Sequence, residues 1–127
     1  MPRHATGIGG VFIRAGDPEA LKRWYVERLG LPTEGGPIIL RWREREDDRE
    51  GLTVFGIFAA DTDYFGSPTQ GAMLNFRVRD LDGLLGELRE AGIEPAAGIE
   101  QHDNGRFAWI VDPEGNRVEL WEPAERT

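Results

Sequence analysis

Asp17-Pro18-Glu19-Ala20-Leu21-Lys22-Arg23-Trp24-Tyr25-Val26-Glu27-Arg28-Leu29-Gly30-Leu31 is a helix written with both of its ends. Asp17 can accept from the free N–H groups of the first turn, Pro18 suits the first helical position, and Gly30 supplies a left-handed stop. Between them Leu21, Trp24, Tyr25 and Leu29 recur at helical spacing. The same order returns downstream, where Asp80 precedes Leu81, Leu84, Leu85 and Leu88, and Gly92 ends the run. Asp17 and Asp80 lie 63 positions apart, Gly30-Leu31 and Gly92-Ile93 62, and Gly51 and Gly115 64. Any α/β chain has glycines at helix ends and turns. Three landmarks in one order at nearly one offset outweigh that chance reading, and the chain reads as two copies of one unit.

Strands are expected on either side of each helix. Residues 8–14, 37–42 and 52–59 read as strands in the first copy, with a solvated hairpin turn in the charged run 41–50. Residues 72–79, 99–103, 106–111 and 117–121 read as strands in the second. Asn104-Gly105 is a hairpin signal, and Asp112-Pro113-Glu114-Gly115-Asn116 is a second turn. Module one then covers about 6–60, the connection 61–71 and module two about 72–123, all within a single domain spanning 1–127.

Composition narrows the function classes. The 127 residues include no cysteine, so disulfides and thiolate metal sites are excluded. A net charge of −8 argues against a non-specific nucleic-acid binder, which needs a positive face to replace phosphate counterions. No stretch has signal-peptide or membrane-span character, and the expected location is cytoplasmic.

Two half-sheets with a helix on one side of each leave the opposite face free, and a curled sheet turns that face into the wall of a cleft. Period-two sorting sends Leu74, Phe76, Val78, Val118 and Leu120 towards the helices. It sends Met73, Asn75, Arg77, Arg117, Glu119 and Trp121 into the cleft, with Gly10, Phe12, Arg14, Thr53, Phe55 and Ile57 as their counterparts.

Two motifs carry a resemblance to a known family. One is Asp17-Pro18-Glu19-Ala20-Leu21 with Trp24-Tyr25 and Leu29-Gly30-Leu31; the other is Asp112-Pro113-Glu114-Gly115-Asn116-Arg117-Val118-Glu119-Leu120. Together they resemble the vicinal oxygen chelate superfamily of glyoxalases, bleomycin-resistance proteins and dioxygenases over nearly the whole chain. The resemblance implies an α+β fold, with two β-α-β-β-β modules forming a curled mixed sheet around a cleft, and often a homodimer. In metal-dependent members four cleft residues hold one divalent cation. The matching positions are Gly10, Phe55, Met73 and Glu119, of which only Glu119 can ligate.

The expectation is therefore a small-molecule-binding protein without a metal or other cofactor. Phe12, Arg14, Phe55, Asn75, Arg77 and Trp121 are its candidate ligand contacts, for a molecule that is anionic or partly aromatic. Arg14 and Arg77, being repeat-related, could meet across the pseudo-twofold with an anion between them, or could pair internally with Glu119. Tyr64 and Phe65 are a candidate lid, or an interface pair. The alternative is a glyoxalase-like lyase or isomerase using Glu119 as acid/base, with a divalent metal at a shifted site built from His102, Asp103 and Glu119. His4, near the terminus, is expected to be mobile, and the facing of Trp42 and Trp109 is left open.

Overall fold

The computed structural model describes residues 4–43 and 50–124. The hairpin turn expected within the charged run 41–50 lies largely outside them. Module one comprises β1 (Ala5–Ala15), α1 (Pro18–Leu29), β2 (Ile38–Arg43) and β3 (Glu50–Ala59). Module two comprises β4 (Ala72–Val78), α2 (Leu81–Glu90), β5 (Glu100–His102), β6 (Gly105–Val111) and β7 (Arg117–Pro123). All seven strands join one mixed sheet in the order β2-β3-β1-β4-β7-β6-β5.

The helix ends are those that the residues specify. Asp17 accepts from Ala20 N–H at 3.1 Å, and Gly30 closes α1 in the left-handed region at φ 69°. Asp80 accepts from Gly83 N–H at 3.1 Å, and beyond α2 the Ile93 N–H returns to the Leu88 carbonyl at 2.8 Å. Module one is one strand shorter than the repeat unit implies. Between α1 and β2 lie Pro32, Gly35, Gly36 and Pro37, with both glycines at positive φ, and the described chain makes only the single bridge Thr33–Ile38 there. Proline lacks the ladder N–H, so a further strand has little to build on.

The repeat sets the topology. In each module the first strand pairs parallel with the last: β1 with β3, and β4 with β7. The modules join through β1 and β4, which run antiparallel with Phe12 opposite Met73, inside one chain. The helix side is filled in module two by Val78, Leu81, Leu85, Ala108 and Leu120, with Phe76 and Val118 packed against them, as period two requires. Burying a leucine such as Leu81 or Leu85 stabilises by about 1.5–3 kcal/mol. Helix α1 is anchored more lightly: none of its residues is fully buried, and Trp24 and Leu29 remain 50% and 60% exposed.

Candidate functional site

The opposite face of the sheet is divided in two. Around β1, β3 and β4 it is filled: Phe12, Phe65, Met73 and Trp109 form a buried cluster, with Val54, Phe58, Tyr64 and Phe107 packed against it. The rings interlock, Phe58 stacking on Tyr64 at 5.4 Å and meeting Phe12 and Phe65 edge-on. At the module-two end the face stays open. There Tyr64, Gln101, His102, Asp103, Asn104 and Phe107 line a groove of about 630 Å³. Residues Asp103 and Asn104 reach it because they form the two-residue loop between the paired His102 and Gly105. The turn thus sits one residue before the expected Asn104-Gly105. Gly105 instead occupies φ 135°, where an added Cβ would strike the Glu122 carbonyl.

Glu119 lies beneath this groove, at the junction with the filled half. It projects from β7 on the cleft face, opposite Asn75 of the parallel neighbour β4, and is 2% exposed. Its carboxylate accepts from Asn75 Nδ2 at 2.6 Å, from Trp109 Nε1 at 2.9 Å and from the Tyr64 hydroxyl. Neutral N–H and O–H donors therefore surround a buried carboxylate, in place of the Arg14 or Arg77 ion pair that was one expectation. Burial, and then the bond to Glu119, hold the Tyr64 phenol well above its ordinary range, so it keeps its proton and donates it to the carboxylate. Behind Asn75 the backbone comes close: a Cβ at Gly9 would run into Asn75 Oδ1 and the Trp121 ring. That proximity is the reason for glycine here. Asn75 Oδ1 is itself buried without a hydrogen-bond partner.

Several expected positions move. Phe55 does not face the cleft; its ring meets Tyr25 of α1 edge-on at 4.9 Å. Glycine landmarks fix a repeat offset only to within a residue, and one residue reverses a strand's faces. The cleft side of β3 carries Val54 and Phe58 instead. Arg14 and Arg77 do not converge. Strands related by a twofold run antiparallel, so equivalent residues lie at opposite ends: Arg77 is level with Gly7, and Arg14 lies about 20 Å along β1 from there. Arg14 donates Nε to Gln70 O at 2.9 Å, Nη1 to Ala60 O at 3.0 Å and Thr62 O at 2.7 Å, and Nη2 to Ser67 O at 3.0 Å, while lying over the Phe65 ring. Arg77 lies over Trp121, which stacks on Phe107.

The connection is fastened rather than lid-like. Arg14 gathers its carbonyls, and the Gln70 amide bonds both the N–H and the carbonyl of Arg117 on β7, at 2.8 Å each. Phe65 is fully buried in the core, and Tyr64 is the residue of the pair that reaches the groove. His4 is also held. It is 8% exposed, with Nδ1 at 3.1 Å from Arg79 O and Nε2 at 3.1 Å from Glu87 of α2. Trp42 lays its ring against Gly7 and Gly51 and donates to Thr53, while Trp109 joins the cleft-side cluster. The spacing of residues along the sequence does not mark Trp109, Gln101, Asn104 and Phe107 as site residues. Trp109 and Phe107 alternate on one face of β6, but only the strand order shows that this face borders Glu119.

A family model described as a glyoxalase-like domain matches residues 10–121. The chain belongs to this family. The fold of this glyoxalase-like protein is shared by methylmalonyl-CoA epimerase from Mycobacterium tuberculosis, at 21% identity and TM-score 0.62 over 95% of this chain and 90% of that one. A variant of the Streptomyces coelicolor methylmalonyl-CoA epimerase, in complex with 2-nitronate-propionyl-CoA, aligns at 18% identity and TM-score 0.69 over 95% and 99%. A glyoxalase/bleomycin resistance protein/dioxygenase superfamily member from Vibrio splendidus 12B01 aligns at 11% identity and TM-score 0.56 over 91% and 97%. No curated protein matches the sequence.

The glyoxalase-like protein does not fit a divalent cation at the superfamily's position. Gly10 has no side chain, and a Cβ there would meet the Phe12 ring at 2.7 Å. Phe55 points to α1, Met73 is enclosed by the aromatic cluster, and the Glu119 oxygens already take three hydrogen bonds. Among the described residues no group of three His, Cys, Asp or Glu side chains is placed to hold a metal, so His102, Asp103 and Glu119 do not form the shifted site. His102 pairs with Glu100 at 3.0 Å and touches Phe107.

Proposed function

We propose that this glyoxalase-like protein binds a small, partly aromatic molecule, without a metal, in the groove lined by Tyr64, Gln101, His102, Asp103, Asn104 and Phe107. The observation that carries the reading is the groove itself, about 630 Å³ with two aromatic rings and a few polar groups in its wall. Of the contacts expected from sequence, Trp121 backs the groove by stacking on Phe107, and Asn75 holds Glu119 beneath it. Phe12 belongs to the filled half of the cleft and Phe55 to the helix side. Arg14 is engaged with four backbone carbonyls, so the anionic option loses one of its two cations. A homodimer, implied by the superfamily resemblance, is part of this reading.

Native mass spectrometry of the untagged protein, as purified and after adding Ni²⁺, Zn²⁺ or Mn²⁺, tests it. A dimer without a metal adduct, carrying a co-purified organic mass that Phe107→Ala releases, is the expected result. A stoichiometric metal would overturn it.

The enzymatic alternative draws support from the Tyr64–Glu119 contact, which links a buried carboxylate to the groove. In such a lyase or isomerase the substrate proton passes to Tyr64 Oη as the phenol's own proton moves to Glu119. Turnover abolished by Glu119→Gln, with ligand binding intact, would favour it.

A further inference from the structure

We infer that the ligand of the groove is an organic cation, an ammonium carried on a flat ring. This rests on the proposed reading of the groove as a binding site and adds the charge of what it takes. Neither Lys nor Arg is among the described residues lining the groove; its one formal charge is the carboxylate of Asp103, at the exposed hairpin loop. Tyr64 has a single hydroxyl proton, and it is donated to the Glu119 carboxylate. That proton is therefore not available to an anion in the groove, and the buried Glu119 carboxylate lies behind the phenol. Glu100, beside the wall, is near enough to Tyr64 to disfavour its ionisation, and its carboxylate engages His102 of the wall. Phe107 presents a ring whose stacking partner is Trp121, and an aromatic face attracts a cation through its quadrupole. An anion entering here would meet the Asp103 carboxylate and the Phe107 ring, with the Gln101 and Asn104 amides and a His102 already paired with Glu100 as its side-chain donors, while Arg77 lies further back over Trp121. An ammonium would meet the Asp103 carboxylate, the amide oxygens of Gln101 and Asn104 and the Phe107 ring.

The test compares three probes of one shape and different charge: 1-naphthylmethylammonium, 1-naphthylmethanol and 1-naphthoate. Each is titrated into the isotopically labelled full chain at pH 8 and followed by backbone amide shifts at 64, 101–104 and 107. The cation is expected to bind at these amides at least tenfold more tightly than either of the others. Its affinity is expected to fall about fivefold in Asp103→Asn, the size of one exposed charge contact, and to weaken with added salt. If the alcohol or the carboxylate moves the same amides with equal or better affinity, the cation inference is overturned while the groove stands as a binding site. If none of the three probes moves these amides, both the inference and the reading of the groove fall.

Discussion

Replacing Arg14 by lysine tests whether the connection between the modules is held by one side chain. The guanidinium makes four hydrogen bonds from three nitrogens to carbonyls of Ala60, Thr62, Ser67 and Gln70, spread along the whole segment. An ammonium keeps the charge but concentrates its donors on one atom and cannot span that arc. Two of the four bonds should be lost. A hydrogen bond from a charged donor contributes about 1.5–3 kcal/mol net, and carbonyls near the surface can turn to water instead, so about 1 kcal/mol each is the appropriate scale. The expected loss is then about 2 kcal/mol. For a chain of 127 residues this lowers the melting temperature by about 8 °C, since 1 kcal/mol corresponds to about 4 °C at this size. Differential scanning calorimetry of wild type and Arg14→Lys measures the shift, and amide exchange at 62–70 should rise in the variant. A variant melting within 2 °C of wild type, with those amides still protected, would refute the clamp.

The remaining predictions concern the buried polar groups. Tyr64→Phe removes one donor to the Glu119 carboxylate and should cost about 1.5–3 kcal/mol in urea unfolding at neutral pH; an unchanged midpoint would mean that the bond is not made in solution. Gly9→Ala places a methyl group against Asn75 and Trp121 and should destabilise by about 1–3 kcal/mol, whereas Gly71→Ala, with open space around it, should not. His4 has both ring nitrogens against acceptors, and the Arg79 carbonyl first, followed by Glu87, raises its affinity for a proton despite burial. The raised pKa makes this tie fully stabilising below the ordinary value near 6.5 and lost as pH climbs through the folded value. The melting-temperature gap between wild type and His4→Gln should therefore narrow from pH 6 to pH 8; a gap that widens would show that the imidazole is held neutral.

The sequence by itself determined the two modules, the helix limits and the side of β4 and β7 that each residue takes. All of these depend on local grammar: a capping aspartate, a stop glycine, and a period of two along one strand. The same grammar placed Glu119, Asn75 and Trp121 on the cleft face. It failed at Phe55, where an offset inferred from glycines carried a one-residue uncertainty that reverses a strand's faces. It failed again at Arg14 and Arg77, because a repeat shows which residues are equivalent and not that a twofold sends their strands in opposite directions. Only the tertiary structure decided that Phe65 and Met73 fill half of the cleft, that Tyr64 reaches Glu119 from a segment 55 residues away, and that the open groove lies beside the β5–β6 loop. Those facts depend on how seven strands are ordered and curled, so that residues remote in sequence compete for one enclosed volume, and no local pattern encodes which of them will occupy it.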